Sequence, residues 1–431
     1  MDRIYEIRDP VHGFIKINEW EREIVNHPVF QRLRRIRQLG LTDMVYPGAM
    51  HTRFEHSLGM MHVATRMYEE IVQRRSDFLE SELKFNSAGL GRDKTLVRIS
   101  CLLHDIGHCP FSHSGEGLMP SLPNEKDPYK HENYSAAVVR YLLKDVIENH
   151  PLNQNYRIKA NEVADFLEGK SSLGRSLLWR DLLSGQIDAD RADYLLRDSH
   201  HIGVEYGKYD LNRLLVTLTV AIDPETESPT LAVEEGGMHA AEGLILARYM
   251  MFTQVYFQHT RRAYDVHLAL SMKELLAEEQ RKKDPRERGF FPPPTDSKNI
   301  RKYLGWTDWR VWGILNEGGG GDHGKIIEER RHHRKVFETR EVPEESDFEF
   351  LEAIWSKIGN GGAFIDKSES VWYKSGPGDI PIVRSDGEFT SLSKFSNVVR
   401  NLKAISQTRI YVPYEKRNEA LSIVESLKKG A

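Results

Sequence analysis

The chain of 431 residues holds only two cysteines, Cys101 and Cys109. Two are too few for a disulfide framework, and they point to a reducing compartment. No apolar run reaches the ~20 residues that a membrane-spanning helix needs. The amino-terminal stretch MDRIYEIRDP has no apolar signal-peptide core. The expectation is therefore a soluble, cytoplasmic protein with no membrane partner. Charge of one sign is also missing: the formal net charge is −4, which excludes the global basic field of a typical nucleic-acid binder but leaves room for local basic clusters. A glycine run at 318–321 lacks the Gly-Lys-Ser/Thr ending of a phosphate-gripping loop and reads as a flexible turn. There is no internal repeat. Length and a hydrophobic content of 39% suffice for one large domain and a smaller one.

What the chain does have is histidine beside aspartate. The stretch CLLHDIGHCPFSHSGE, residues 101–116, carries the pair His104-Asp105, then His108, His113 and Glu116, threaded with apolar residues. Imidazole next to carboxylate offers neutral nitrogen and charged oxygen to a divalent cation. Leu96, Val97, Ile99, Leu102 and Leu103 have helical spacing, which places the pair near the end of a buried helix. Gly107 and Pro110 then break it, leaving His108 and His113 on a turn. A lone HD pair is more often a capping Asp beside a core His. The density of further His and Asp along the chain reverses that weighting.

In chain order, residues 1–20 read as an extended or hairpin arm and 21–39 as a basic helix with Val29, Leu33 and Ile36 on one face. Its arginines, Arg32, Arg34, Arg35 and Arg37, read first as a solvated face; the functional alternative is an anion or nucleotide site at a subunit contact. His56 opens a long amphipathic helix, on which His62 has no evident partner. Residues 76–95 read as a loop. His131 stands at the start of another helix, where a simple cap is the plain alternative. The segment SGQIDADRADYLLRDSHHIG carries Asp188, Asp190, Asp193 and Asp198. Asp190, Asp193 and Tyr194 are able to share one helix face, although such aspartates mostly cap helices or pair with arginine. Residues 237–280 read as one long helical stretch. Near 284 the breaker segment DPRERGFFPPPTD marks a lobe boundary. His332-His333 reads as surface, and the tail alternates strand-like runs (SVWYK, IPIVR, TRIYVPY) with helix-like ones.

Three separated motifs, FEHSLG, CLLHDIGHCPFSH and IDADRADY, together resemble the HD-domain phosphohydrolases, and more narrowly the deoxynucleoside triphosphate triphosphohydrolases: bacterial dGTPase-like enzymes and the mammalian SAM-and-HD-domain dNTPase. The resemblance covers residues 4–270 well and the tail loosely. It implies a mainly α fold, an HD helical bundle over 1–283 with its arm, and a smaller C-terminal α+β lobe over 284–431. It implies one divalent metal ion, of Fe, Mn, Zn, Ni or Mg, held by His56, His104, Asp105 and Asp190. Such an ion supplies Lewis-acid charge at a phosphoryl oxygen and a more acidic water. By the same similarity His108 and His113 face the triphosphate, Glu116 orients a catalytic histidine, and His131 assists at the leaving oxygen. Gln38 and Leu39 match sugar-sensing residues, Arg53 and Arg191 phosphate contacts, Tyr194 the ring that excludes a 2′-hydroxyl, and Asp198 and Tyr264 further sugar or base contacts. Where the family has a phosphate-binding Arg, this chain has Tyr256. Arg261 or Arg262 is the candidate replacement.

For an activating nucleotide at subunit interfaces, Gln31 and Arg34 match the family's site, whereas Asn26 replaces its base-reading Asp, which argues against guanine-specific activation. The resemblance also implies a homo-oligomer, dimer or tetramer, and a role in dNTP pool control that in bacterial relatives extends to antiviral defence. The expected reaction is hydrolysis of a dNTP to deoxynucleoside and tripolyphosphate. One rival is an HD phosphodiesterase or nuclease acting on cyclic nucleotides or single-stranded nucleic acid ends. It shares the metal ligands but needs neither Tyr194 nor Gln38. A non-enzymatic nucleotide sensor is the other.

Overall fold

Three helices cross at the centre of the molecule, and their caps explain where each starts. In the computed structural model, which describes residues 3–123, 125–281, 289–359, 361–370, 373 and 378–430, the Arg53–Arg74 helix begins at Thr52. The Thr52 side chain accepts from the Phe54 amide, and Glu55 accepts from the Thr52 amide, a reciprocal cap that satisfies amides otherwise without partners. The Ser87–Leu103 helix is capped by Asn86. The Ala189–Ile202 helix is capped by Asp188 and ends at Gly203, whose φ of 74° is the left-handed conformation glycine adopts without strain. The first helix packs against both of the others. The close approach depends on Gly59 of the FEHSLG motif: a Cβ there would lie 2.0 Å from Asp193 Oδ1 and 2.2 Å from Arg197 Nη2.

The protein is mainly helical. The amino-terminal arm is an antiparallel hairpin, Tyr5–Asp9 with Gly13–Ile17, in which Ile7 faces Ile15. Ile15 and Ile17 are buried in the main core. A four-stranded sheet joins Leu218–Ile222 and Pro229–Glu234 to Pro381–Val383 and Phe389–Ser391, with the middle pair parallel. A three-stranded antiparallel sheet has Ile405–Val412 between Arg334–Glu338 and Phe364–Ser370. It covers a small second core of Val336, Leu351, Ile354, Ile410, Val412, Ala420 and Val424. Ile300, Tyr303, Trp306 and Val311, by contrast, belong to the main core. The breaker segment near 284 lies outside the described residues up to 288, while 289–296 are described; most of SVWYK also lies outside them.

Several local expectations are corrected. Residues 21–39 are not one helix: Pro28 cannot continue the Glu19–Asn26 helix, so a short turn at Pro28–Gln31 and a 3-10 turn at Arg32–Arg35 follow. Arg32 is not solvated. It is buried and donates to the carbonyls of Leu304 (3.0 Å), His108 (2.9 Å) and Trp306 (2.8 Å). Residues 76–95 are largely helical, through Ser76–Ser81 and the start of Ser87–Leu103. The 237–280 stretch is broken between Met238–Met251 and His259–Arg281 by a π turn at Phe252–Tyr256. His332 and His333 are buried, beside Tyr264 and His267 respectively. Gly318, Gly320 and Gly321 do form a turn with positive φ, but it is packed against Ser271 and Glu274.

Gly59→Ala should cost ~1–3 kcal/mol, as overpacking of a tight contact does, and lower the melting temperature by several degrees. Thermal unfolding followed by circular dichroism checks this.

Candidate metal centre and active site

Four electron-rich groups meet where these helices cross. His56 lies in the first turns of Arg53–Arg74, His104 at the end of Ser87–Leu103, Asp105 just beyond it, and Asp190 in the first turn of Ala189–Ile202. His56 Nδ1 lies 2.8 Å from Asp193 Oδ2, and His104 Nδ1 lies 2.8 Å from the Cys101 carbonyl. Both partners accept only, so each ring spends its Nδ1 proton outward and turns an Nε2 lone pair inward. The two Nε2 atoms are 3.3 Å apart. Asp190 Oδ1 is 2.9 Å from the first, and Asp105 Oδ1 is 3.1 Å from the second. Acceptors converging with no donor between them fit a cation. The ligand atoms of His56, His104 and Asp190 lie within 4.8 Å of one another, while the other Asp105 oxygen is held by Arg53 at 2.6 Å.

The field of the site agrees. Burial disfavours a charged His56, yet hydrogen bonds to Asp190 and Asp193 and the charges of Asp105 and Asp193 outweigh it and raise its pKa to about 10. A hole that attracts a proton this strongly attracts a metal cation by the same electrostatics. Burial also opposes the charge on Asp105, but Arg53, His104 and His108 hold its carboxyl well below the usual range.

A second cluster adjoins the first. His108 Nε2 lies 3.2 Å from Asp105 Oδ1, and the His108 ring stacks on His131 with centroids 3.9 Å apart. Glu116 bridges His131 Nδ1 at 2.7 Å and His113 Nδ1 at 3.0 Å. Burial lowers the His131 pKa, but the Glu116 hydrogen bond and the charges of Glu132 and Glu116 leave it raised. His113 is mostly exposed at the rim. The turn bearing these residues has left-handed φ at Phe111 and Ser112 (57° and 58°). It is braced from outside: Tyr303 donates to the Gly107 carbonyl at 2.6 Å, and Asp308 accepts from the amides of Phe111 and Arg37, both at 2.8 Å.

From Asp190 a cavity of about 470 Å³ leads outward, within the ~300–1,000 Å³ of small-ligand sites. Gln38, Leu39, Arg53, Arg191, Tyr194 and Asp198 line it, as do Tyr256 and Arg261. Gln38 is brought there because its amide pairs with the His51 carbonyl (3.0 Å) and the Arg53 amide with the Ile36 carbonyl (2.9 Å). The buried Gln38 Oε1 has no partner among the described residues. Asp198 accepts from Tyr256 Oη at 2.6 Å and lies 2.8 Å from His51 Nε2.

The HD domain family matches residues 53–198, and the HD-associated region matches 209–287. The chain carries an HD domain at residues 53–198. It is 36% identical over 259 residues to an uncharacterised protein of Methanocaldococcus jannaschii, covering 60% of this chain and 47% of that one. It is 34% identical over 264 residues to the uncharacterised YwfO of Bacillus subtilis, covering 61% and 53%. The human deoxynucleoside triphosphate triphosphohydrolase SAMHD1 is 32% identical over 235 residues, 50% of this chain and 36% of that protein. The chain thus spans about half the length, or less, of these relatives. A hypothetical protein from Aquifex aeolicus superposes with a TM-score of 0.77 at 28% identity, covering 98% of this chain and 100% of that one. A phosphohydrolase from Bacteroides thetaiotaomicron shares the fold, with a TM-score of 0.70 at 24% identity over 95% and 99% of the two chains.

The expected site residues fall together with few exceptions. Tyr264 is buried against His332 and does not line the cavity. Arg262 lines the cavity but is ion-paired with Asp366 at 2.5 Å. Arg261 donates to Thr42 Oγ1 at 2.8 Å. Gln31 and Arg34 are hydrogen-bonded at 2.9 Å on the surface, and Asn26 is exposed nearby in sequence. Arg248, Phe252 and Phe257 were not anticipated as lining residues. The signal for Arg248 was a single cation in the apolar run GLILARYMM. The membrane expectation stands this far: no helix among the described residues is long and apolar enough to cross one.

Loading metal-depleted protein with Mn²⁺ at about 100 times its Kd should stabilise it by ~2.7 kcal/mol. His56→Gln should lose most of that gain. Scanning fluorimetry with and without Mn²⁺ gives the comparison.

Proposed function

We propose that this HD-domain protein is a phosphohydrolase that converts dNTPs to deoxynucleoside and tripolyphosphate. The observation that carries the reading is the continuity of the cavity: sugar-sized walls at Gln38, Leu39, Tyr194 and Asp198 meet Asp190, Arg53 and Arg191 at its inner end. The similarity to SAMHD1 over the HD region supports it. His56, His104, Asp105 and Asp190 would hold a divalent ion of Fe, Mn, Zn, Ni or Mg, which supplies Lewis-acid charge at the reacting phosphate and a more acidic water.

The chain's own residues do the rest. Arg53 and Arg191 neutralise phosphate oxygens electrostatically. Arg261 reaches the same cavity where the family's arginine is replaced by Tyr256. The Tyr256 hydroxyl instead anchors Asp198, whose carboxylate faces the sugar. Tyr194 packs where a 2′-hydroxyl would project, and Gln38 Oε1, lacking a partner, accepts from a sugar hydroxyl. His131, kept protonated by Glu116, gives its proton to the departing oxygen, and His108 stacks on the ring to hold its plane. Gln31, Arg34 and Asn26 mark a surface for an activating nucleotide between subunits of a homo-oligomer.

Asp190→Ala should abolish tripolyphosphate release from a panel of dNTPs while the protein stays folded. Release of pyrophosphate, a nucleoside monophosphate or shortened oligonucleotides by the wild type would instead favour a phosphodiesterase or nuclease. A general acid works only while protonated, so activity should fall as pH rises through the raised His131 pKa. Glu116→Gln removes the charge that raises it, so the alkaline limb of the kcat profile should move to lower pH and kcat at neutral pH should drop ~10²-fold or more. A pH–rate series on the two proteins measures both effects.

A further inference from the structure

The tip of the amino-terminal hairpin is tied to the interior through the side chains of Asp9 and His12. Asp9 Oδ1 accepts from the amides of Val11 and His12 at 2.9 and 2.8 Å, which fixes the turn. Its other oxygen takes Arg197 Nη1 at 2.8 Å. Arg197 is fully buried and donates Nε and Nη2 to Asp193, both at 2.8 Å. From the turn itself, His12 Nε2 reaches Asp193 Oδ1 at 2.6 Å, with the two side chains 3% and 0% exposed. The remaining Asp193 contact is the Nδ1 of His56. Asp193 and Asp190 sit three apart on one helix and so hold the two nitrogens of the His56 ring between them.

This arrangement restricts His56 severely. Its ring cannot flip, nor its Nδ1 proton migrate, unless Asp193 moves. Asp193 cannot move without breaking contacts to Arg197 and His12, and it lies directly on Gly59, where no side chain fits. Carboxylates that orient a ligating imidazole commonly change metal affinity ~10–100-fold when disturbed. Here that carboxylate is itself oriented by a residue some 44 positions upstream of His56, on a separate structural element.

We propose that His12 is a positioning residue for the metal ligand His56, acting through Asp193, so that the docked hairpin is a working part of the metal centre; this rests on the metal-centre reading above. Any event that lifts the hairpin then loosens the metal, which links the arm to the site without a contact between the arm and the substrate.

The test is Mn²⁺ affinity of the metal-depleted full chain, measured by titration calorimetry, on wild type, His12→Ala and His12→Gln, with apo melting temperatures recorded alongside. The alanine variant should bind Mn²⁺ ~10-fold or more weakly, and the glutamine variant, whose amide still donates to Asp193, should recover to within a few-fold of wild type. Equal affinity in wild type and His12→Ala overturns the proposal, as does a glutamine variant as weak as the alanine one. Should His12→Ala not fold, Asp9→Asn, which weakens the turn's hold on Arg197, is read the same way: weakened binding supports the proposal and unchanged binding overturns it. A wild type that binds no Mn²⁺ overturns the metal-centre reading itself.

Discussion

The helix crossing at the heart of this protein is governed by one electrostatic constraint: two imidazole lone pairs and two carboxylates, all but Asp190 buried, face one another. Such a set repels itself unless a cation sits within it. Burial makes the demand stronger, since water is not there to screen the charges. The surrounding structure consists largely of devices that keep these groups aimed inward: the Cys101 carbonyl behind His104, Asp193 behind His56, and Arg53 beside Asp105.

The next layer out serves the HD turn. Residues 107–113 leave the end of a helix with two successive left-handed residues, a conformation that a side-chain-bearing chain keeps only when its surroundings impose it. Arg32, Tyr303 and Asp308 impose it, by hydrogen bonds to backbone groups on either side of the turn. Asp308 also takes the Arg37 amide, so one carboxylate registers the His108 turn against the strand-like segment that carries Gln38. The histidine-bearing turn and the cavity wall at Gln38 are thereby held in one frame by a part of the chain some 200 residues downstream.

The adjoining cavity is less uniform. The cavity keeps a polar wall at Gln38 and Asp198 and a cationic end at Arg53 and Arg191. Tyr256, which stands where an arginine is expected, spends its hydroxyl on Asp198, and the π turn that carries it separates two helices. π turns often occur at functional sites, and this one forms part of the cavity wall.

The sequence by itself determined the metal-type residues and their order. The pairing of His104 with Asp105 at a helix end, the helix opened by His56 and the carboxylate cluster beginning at Asp188 are local patterns, and helical periodicity makes local patterns legible. The hairpin and the small sheet-bearing tail were legible from strand-like runs and turn residues, and the mainly α character from the resemblance of the three motifs. What only the tertiary structure decided involves partners far apart in the chain. A run of arginines looks solvated until Arg32 is found capping carbonyls at 108, 304 and 306. His332 and His333 look like surface until the helix bearing Tyr264 and His267 packs over them. Tyr264 is taken up by packing against His332 rather than by the cavity, and His12 acquires its role only because Asp9 and Arg197 draw the hairpin tip onto Asp193. Burial and long-range hydrogen bonding depend on which distant segments meet, and one-dimensional spacing carries no record of that.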